Sequence, residues 1–244
     1  MRLTPSPVLT HSCAGKPFSC QDPRALAGPS HPTNVADLDL ETIAVLVLMF
    51  FLVWYYAASV YSRRLAARVA RELRGPVLGL GGTSQVRWFG TTAFRMTAEG
   101  ASPPFKEFSV TVTLRPREMP INWAIGRAQG RRDAALVEAA LRKDPKLEFE
   151  LADPRTRIGQ RRRRARSDWS TVALDGRELL LAADDQSRVV GLLEAVGPAN
   201  LRPIMALHLT MGRAPGIAAS VSVGARDAVQ AIATIRTLAD RVSA

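Results

Sequence analysis

The sequence predicts an α+β protein, in which a single transmembrane helix precedes a cytoplasmic domain with a largely antiparallel sheet and two helices in its C-terminal half. Three observations support this fold class. A long uncharged run lies near the N-terminus, several later segments alternate apolar and polar residues with the period of a strand, and two segments near the C-terminus carry a helix cap or a helical apolar stripe. Strands and helices do not alternate along the chain, so parallel βαβ units are not predicted.

Residues 42–60, TIAVLVLMFFLVWYYAASV, contain no charged side chain. At about 1.5 Å per residue this run is about 29 Å long as a helix, close to the hydrocarbon thickness of about 30 Å. A buried helix of a globular protein would have a polar face, and a cleaved signal peptide would carry its positive charge before the apolar run. We therefore expect a single-pass transmembrane helix over residues 42–60.

The charges that flank this run differ on its two sides. Three acidic residues precede it: Asp37, Asp39 and Glu41. Five arginines follow it: Arg63, Arg64, Arg68, Arg71 and Arg74. Because positively charged flanks stay in the cytoplasm, we expect a cell-membrane protein whose N-terminus is outside and whose C-terminal domain is cytoplasmic.

Residues 1–41 contain six prolines and no periodic apolar pattern. They predict a disordered tail, because such a segment buries too little apolar surface to offset the entropy of folding. Cys13 and Cys20 lie in this tail, where they either form a disulfide or remain free thiols.

Residues 61–75 predict a basic amphipathic helix next to the membrane. Its apolar residues recur every fourth position, with arginines between them, so the helix can lie near the membrane surface. Gly75-Pro76 should end it, because proline lacks the amide that a helix needs. The glycines from there to Gly82 predict a flexible hinge at the start of the domain, which spans residues 76–244.

Alternating segments predict the first strands. Over residues 83–100 the apolar residues fall on even positions, which predicts one half-buried strand, antiparallel to a second at residues 108–114. Residues 133–143 have the composition of a helix but the alternation of a strand, and we interpret them as a strand in a hairpin with residues 147–151. Asp175-Gly176, between two apolar runs, is a strong signal for a further hairpin.

The C-terminal part predicts two helices that cover one face of the sheet. Asp185 should cap the first, over residues 186–196, which Gly197-Pro198 ends. Strands are expected at residues 204–211 and 217–223. The second helix, at residues 226–242, carries one apolar stripe.

Few residues in the predicted domain suit metal binding or catalysis. Both cysteines lie in the tail and His208 is the domain's one histidine, so no metal, cofactor or catalytic site is predicted. We interpret His208 as a half-exposed strand residue, and we expect Glu148 and Glu150, on one strand face, to pair with nearby arginines. Residues 115–123, RPREMPINW, form a distinctive motif without a predicted role. A binding or scaffolding module is therefore favoured over the alternative, an enzyme acting on a membrane-proximal or anionic substrate.

Positive charge is densest at residues 155–166, and the net charge of +11 favours anionic partners. We expect this arginine run in a long loop between two strands, from Asp153 to Asp168. The run either remains solvated or contacts an anionic surface together with the arginines that follow the apolar run. The predicted contact residues are Arg63, Arg64, Arg68, Arg71, Arg161, Arg162, Arg163, Arg164 and Arg166.

Anionic lipid headgroups are the favoured partner for these arginines. The tethered domain lies beside the inner leaflet, where each basic residue adds about 1 kcal/mol of binding. Nucleic acid is the alternative, since arginine binds phosphates well, but the run has no interleaved aromatic residues to stack on bases. A protein partner remains open.

Overall fold

The computed structural model describes residues 39–212 and 214–243. These residues form five α-helices and one nine-stranded antiparallel sheet, which confirms the predicted α+β class and the long apolar helix near the N-terminus. The predicted tail lies almost entirely outside the described residues, and Cys13 and Cys20 lie outside them as well.

The helices are α1 (Leu40–Leu78), α2 (Pro120–Ala128), α3 (Arg157–Ala165), α4 (Gln186–Val196) and α5 (Ala225–Ser243), and a short 3₁₀ helix (Pro198–Leu201) follows α4. The strands are β1 (Thr83–Phe89), β2 (Ala93–Glu99), β3 (Phe105–Thr113), β4 (Ala134–Leu141), β5 (Phe149–Ala152), β6 (Ser170–Leu174), β7 (Arg177–Ala183), β8 (Ile204–Leu209) and β9 (Ile217–Ser222). Across the sheet their order is β1-β2-β3-β4-β9-β8-β5-β7-β6.

The main core lies between one face of the sheet and the helices α1, α4 and α5. Phe94, Val110 and Val137 come from three neighbouring strands and are fully buried on that face. Leu73 of α1 and Ile235 of α5 belong to the same apolar cluster. Burying a side chain of this size contributes about 1.5–3 kcal/mol, so this layer is the main apolar source of stability.

The segment predicted as one strand over residues 83–100 is a hairpin, so that prediction is wrong in its boundaries. The chain turns at Gly90, whose φ is 77°, and β1 pairs with β2. Val86 pairs with Met96 and Trp88 with Phe94, so both arms keep their apolar residues on even positions. The alternation therefore continues through the turn and hides it. The antiparallel pairing of β2 with β3 is confirmed.

Residues 134–141 form a strand, as predicted, but not the predicted hairpin. β4 pairs with β3 on one side and with β9 on the other, whereas β5 pairs with β7 and β8. Two strands that follow each other in the chain are thus separated by β9 and β8 in the sheet. Local alternation indicates that a strand exists, but it does not select a partner far along the chain.

The end of α1 also differs from the prediction. The helix passes Gly75-Pro76 and runs to Leu78, and the Gly79 amide donates to the Gly75 carbonyl at 2.9 Å. Pro76 removes only one backbone N–H donor from the helix. The burial of Val77 in the core offsets the loss of that hydrogen bond. The apolar stripe of the predicted juxtamembrane helix packs against this core.

The predicted flexible hinge is a packed turn. The Ser102 amide donates to the Leu80 carbonyl at 2.7 Å, and Leu80 is buried. Gly82 has a φ of 78°, and a Cβ atom there would lie 2.2 Å from the Glu99 carbonyl oxygen. The glycines thus allow close contact between chain segments.

The hairpin and helix signals of the C-terminal half are confirmed. Asp175 and Gly176 both have positive φ, at 50° and 70°, in the tight turn between β6 and β7. The Asp185 carboxylate accepts the Arg188 amide at 3.0 Å as the cap of α4, and α5 ends the described chain.

Two helices, α2 and α3, were not predicted, and α3 changes how the helices are arranged on the two faces of the sheet. With α3, the C-terminal half contains three helices, so the prediction of two is wrong. Ile158 of α3 packs with Ala152, Leu180 and Ala206. These residues alternate with Leu151, Leu181 and Leu207 of the main core, so α3 covers the opposite face of the sheet. Helices therefore lie on both faces, not on one.

Candidate functional site

Helix α1 changes character along its length. It is the one helix in the described residues that is long and apolar enough to cross a membrane. Residues 41–53 are exposed on every side, whereas from Ser62 onward one stripe of the helix is buried in the core. A helix that is apolar all round needs an apolar environment, so the exposed part is compatible with membrane anchoring.

The arginines after this exposed part lie outside the buried stripe of α1. All five are exposed: Arg63, Arg64, Arg68, Arg71 and Arg74. At about 100° per residue, Arg64, Arg68 and Arg71 lie opposite to the buried stripe, and Arg63 and Arg74 lie on its flank. None of them forms an ion pair with a carboxylate among the described residues. Their charge is therefore available to an outside partner.

The arginine run is a helix, so the predicted long loop is wrong. Thr156 caps α3 by accepting the Gly159 amide at 3.0 Å, and Arg162, Arg163 and Arg164 occupy the last turn. Positive charge at a helix C-terminus is favourable because the helix dipole is negative there. A Cβ atom at Gly159 would lie 1.9 Å from the Asp153 carbonyl oxygen, so glycine lets α3 approach the end of β5.

Two arginines of the run bind carboxylates of the same chain. Arg162 donates to Glu150, which is almost fully buried, and an Arg166 nitrogen lies 3.8 Å from the other Glu150 oxygen. The predicted pairing of Glu150 with the run is therefore confirmed, while Glu148 is exposed. The hydrogen bond between Arg166 and Asp168 raises the pKa of Arg166 and lowers the pKa of Asp168.

The three other arginines of this run that belong to the predicted contact residues point to solvent. Arg161, Arg163 and Arg164 are exposed, and within residues 39–212 and 214–243 they have no ion-pair partner. They lie on α3, on the opposite face of the sheet from α1. β5, which α3 packs against, is five strands beyond β2, or about 24 Å at roughly 4.8 Å per strand. The structure therefore does not join the two predicted arginine groups into one surface.

A cleft beside α1 is formed by the motif at residues 115–123, to which the sequence assigned no role. It has a volume of about 450 Å³ and lies between α1 and α2. The Trp54 indole donates to the Arg117 carbonyl at 3.0 Å, and the Trp54 and Trp123 rings are 6.0 Å apart. The lining residues are Trp54, Ala57, Ala58, Tyr61, Arg115, Arg117, Trp123 and Arg127.

The three arginines of the cleft outnumber the carboxylates that contact them. Arg117 donates to Asp133 at 2.7 Å and its guanidinium lies 5.5 Å from the Tyr61 ring centre. Arg115 Nε lies 3.6 Å from the same carboxylate and has no hydrogen-bond partner, and Arg127 lies 6.0 Å from the Trp123 ring centre. Asp133 thus faces two of these cations, and Arg127 forms no ion pair within the described residues. Planar guanidinium groups beside aromatic rings suit a phosphate group at a lipid–water boundary.

His208 does not form an acid–base pair in the structure. It lies opposite Glu150 in the pairing of β5 with β8, and the Glu150 carboxylate is bound by Arg162. The side chain is half-buried on the face away from the main core, as predicted. Among the described residues there is no group of three or more histidine, cysteine, aspartate or glutamate side chains placed to hold a metal ion.

The signal for the cleft was present in the sequence as two tryptophans and three arginines. Trp54 precedes the other four by more than sixty residues, so only the fold brings it to them. The sequence matches no protein-family model and no curated protein.

Proposed function

We propose that the protein is a single-pass membrane protein whose domain serves as a binding or scaffolding module at the inner leaflet. The N-terminal tail is outside and the domain is cytoplasmic. The observation that carries this proposal is that helix α1 is unbroken. Its first part is apolar and exposed, and its last part packs in the core of the domain. A helix without a break holds the domain next to the membrane surface.

The arginines of α1 supply the contact with anionic headgroups. They follow the apolar stretch directly, they are exposed, and none of them belongs to the buried stripe of the helix. Each basic residue near an anionic leaflet adds about 1 kcal/mol of attraction. The same charge keeps this end of the helix in the cytoplasm.

Orientation is tested by labelling single cysteines on intact cells. One variant combines Cys13→Ser and Cys20→Ser with Ala195→Cys, at an exposed position of α4. We expect a membrane-impermeant maleimide to label it only after the membrane is permeabilised. The matched control keeps Cys13 and replaces Cys20, and it should react on intact cells. Labelling of Ala195→Cys on intact cells would contradict the proposed orientation.

The headgroup contact is tested by measuring which lipids remain bound to the full chain. The chain is incubated with equal amounts of phosphatidylserine and phosphatidylcholine in mild detergent, and the bound lipids are quantified by mass spectrometry. We expect phosphatidylserine to be enriched, and the triple variant Arg64→Gln, Arg68→Gln, Arg71→Gln to lose that enrichment. The control carries Arg161→Gln, Arg163→Gln and Arg164→Gln. Equal enrichment of phosphatidylserine in the wild type and in the triple variant of α1 would contradict the proposed lipid contact.

A second candidate function rests on the position of α3. Its exposed arginines lie on the face of the sheet opposite to α1 and so form a separate cationic surface. A nucleic acid that binds there should be retained on an RNA or DNA column and released steeply as salt increases. The variant Arg161→Gln, Arg163→Gln, Arg164→Gln of α3 should lose this retention. The variant Arg64→Gln, Arg68→Gln, Arg71→Gln of α1 should keep it. Equal loss in both variants would show unspecific attraction to a basic protein.

A further inference from the structure

Helix α2 presents an apolar face to solvent. Ile121, Ala124, Ile125 and Ala128 are all exposed and follow the spacing i, i+3, i+4, i+7, so they form one stripe. Ile121 is 64% exposed and Ile125 is 50% exposed, which is unusual for two isoleucines on one short helix. No described residue buries this stripe, although Ile125 at its edge lines a second cleft with Arg115, Pro116 and Arg131.

The opposite side of α2 faces the protein. Gly126 is buried and Trp123 packs on Trp54 of α1. At about 100° per residue these two positions lie roughly opposite to the centre of the apolar stripe. The centre of the exposed stripe therefore points away from α1, and only its Ile125 edge borders other residues of the domain.

The contact with Trp54 fixes the level of α2 along α1. Trp54 lies inside the uncharged run, six residues before its end at Val60, and six helical residues span about 9 Å. The run cannot be shifted toward the N-terminus, because Asp39 and Glu41 precede it. A bilayer that contains this run therefore reaches α2. Amphipathic helices at the boundary of headgroups and acyl chains are buried by about 5–10 Å, which matches this depth.

Neighbouring residues have the chemistry of a membrane interface. Met119 is 57% exposed next to α2, and Phe89 is 47% exposed at the tip of the first hairpin. That tip is joined to the segment before α2 by a hydrogen bond of 3.0 Å between Thr91 and Glu118. Arg115, Arg117 and Arg127 of the cleft lie behind the apolar stripe, where they can reach phosphate groups.

We infer that α2 is an interfacial helix, whose stripe of Ile121, Ala124, Ile125 and Ala128 inserts into the same leaflet that α1 leaves. This gives the domain a second contact with the bilayer. The inference rests on the proposed anchoring by α1, because the depth of α2 is measured from that helix, but it does not depend on which side of the membrane holds the domain.

Spin labels in the full chain, reconstituted into nanodiscs with phosphatidylserine and phosphatidylcholine, test the insertion. In a chain with Cys13→Ser and Cys20→Ser, a single cysteine replaces Ile125, and its label is exposed to oxygen, which enters lipid, and to a water-soluble nickel complex. We expect the Ile125→Cys label to collide several-fold less with the nickel complex than a label at Ala173→Cys, an exposed position on β6. Its collisions with oxygen should be more frequent.

Two further labels separate the possible results. Leu48→Cys lies in the exposed apolar part of α1 and reports the anchor itself. A lipid-like label at Leu48 with a water-like label at Ile125 would overturn the insertion of α2 and leave the anchor intact. Water-like labels at both would overturn the anchoring. A label at Ile125 shielded from both relaxants would show a protein contact over the stripe and would likewise overturn the inference.

Because cysteine at position 125 could disturb α2, Asn122→Cys provides a second measurement. Asn122 is exposed on the flank of the stripe, and it should give a collision rate between those at Ile125 and Ala173. If Asn122 and Ala173 gave the same rate, α2 would not lie at the interface.

Discussion

Gly159 is the residue on which the position of α3 depends. No larger side chain fits there, since the Cβ atom would overlap the Asp153 carbonyl. The pairing of Arg162 with Glu150 follows from that close approach. Sequence alone shows a glycine in a basic segment, but only the fold shows the backbone that lies against it.

We expect Gly159→Ala to destabilise the domain by about 1–3 kcal/mol, the usual range for overpacking. Gly191→Ala is the matched control, because Gly191 is also helical and an added Cβ there meets no atom within 4 Å. That control should stabilise the domain by about 0.5–1 kcal/mol, since glycine is a poor helix former. Thermal unfolding of both variants measures the difference, and changes of the same sign would contradict the packing described for α3.

Asp185 gives the N-cap of α4 a pH dependence. Hydrogen bonds from the Arg188 amide and the Ser187 hydroxyl lower the pKa of the Asp185 carboxyl below its ordinary value. Its contribution is therefore fully present above the unfolded pKa of about 3.9 and is lost as pH falls through the lower folded pKa. Asp185→Asn keeps a capping oxygen but does not titrate. The difference in Tm between wild type and this variant should shrink below about pH 4, and a difference that is constant with pH would rule out this linkage.

At the scale of elements, burial differs sharply between the two arms of the first hairpin. β1 is exposed along its whole length at the edge of the sheet, while β2 contributes three fully buried residues. Phe94→Ala should cost about 3–5 kcal/mol, as is usual for a buried phenylalanine. Trp88, which is 48% exposed and pairs with Phe94, should cost clearly less when changed to alanine. Chemical denaturation of both variants measures the two losses of unfolding free energy. Equal losses would contradict this order.

The elements that the sequence predicted correctly are those with a strong local signal. The Asp175-Gly176 turn, the Asp185 cap and the apolar stripe of α5 each lie within a few neighbouring residues. α3 was missed because four consecutive arginines show no apolar period, and its helix is held by Ile158, Gly159 and Thr156. α2 was missed because it is only nine residues long, so its apolar stripe repeats over little more than two turns.

At the scale of the whole molecule, the sheet order was beyond the sequence. β4 and β5 follow each other in the chain but lie three positions apart in the sheet, because the last two strands insert between them. The candidate site likewise depends on the folded chain, which brings Trp54 of α1 to Trp123 of α2. The sequence located positive charge, whereas the fold decided which arginines bind Glu150 and which remain free.

Inserting one alanine after Val60 tests how the span and the domain are coupled. One added residue turns the span by about 100° relative to the domain, so Trp54 should leave Trp123 while the core stays intact. We expect amides of α2 to exchange with deuterium faster in nanodiscs and those of β3 and β4 to keep their rates. Unchanged protection of α2 would show that its position does not depend on the contact with Trp54.

The continuity of helix α1 has a consequence for encounters with partners. Once its apolar end is embedded, the domain has no joint about which to swivel, and it keeps mainly lateral diffusion and rotation about the membrane normal. Two embedded copies would then always meet with the same side up.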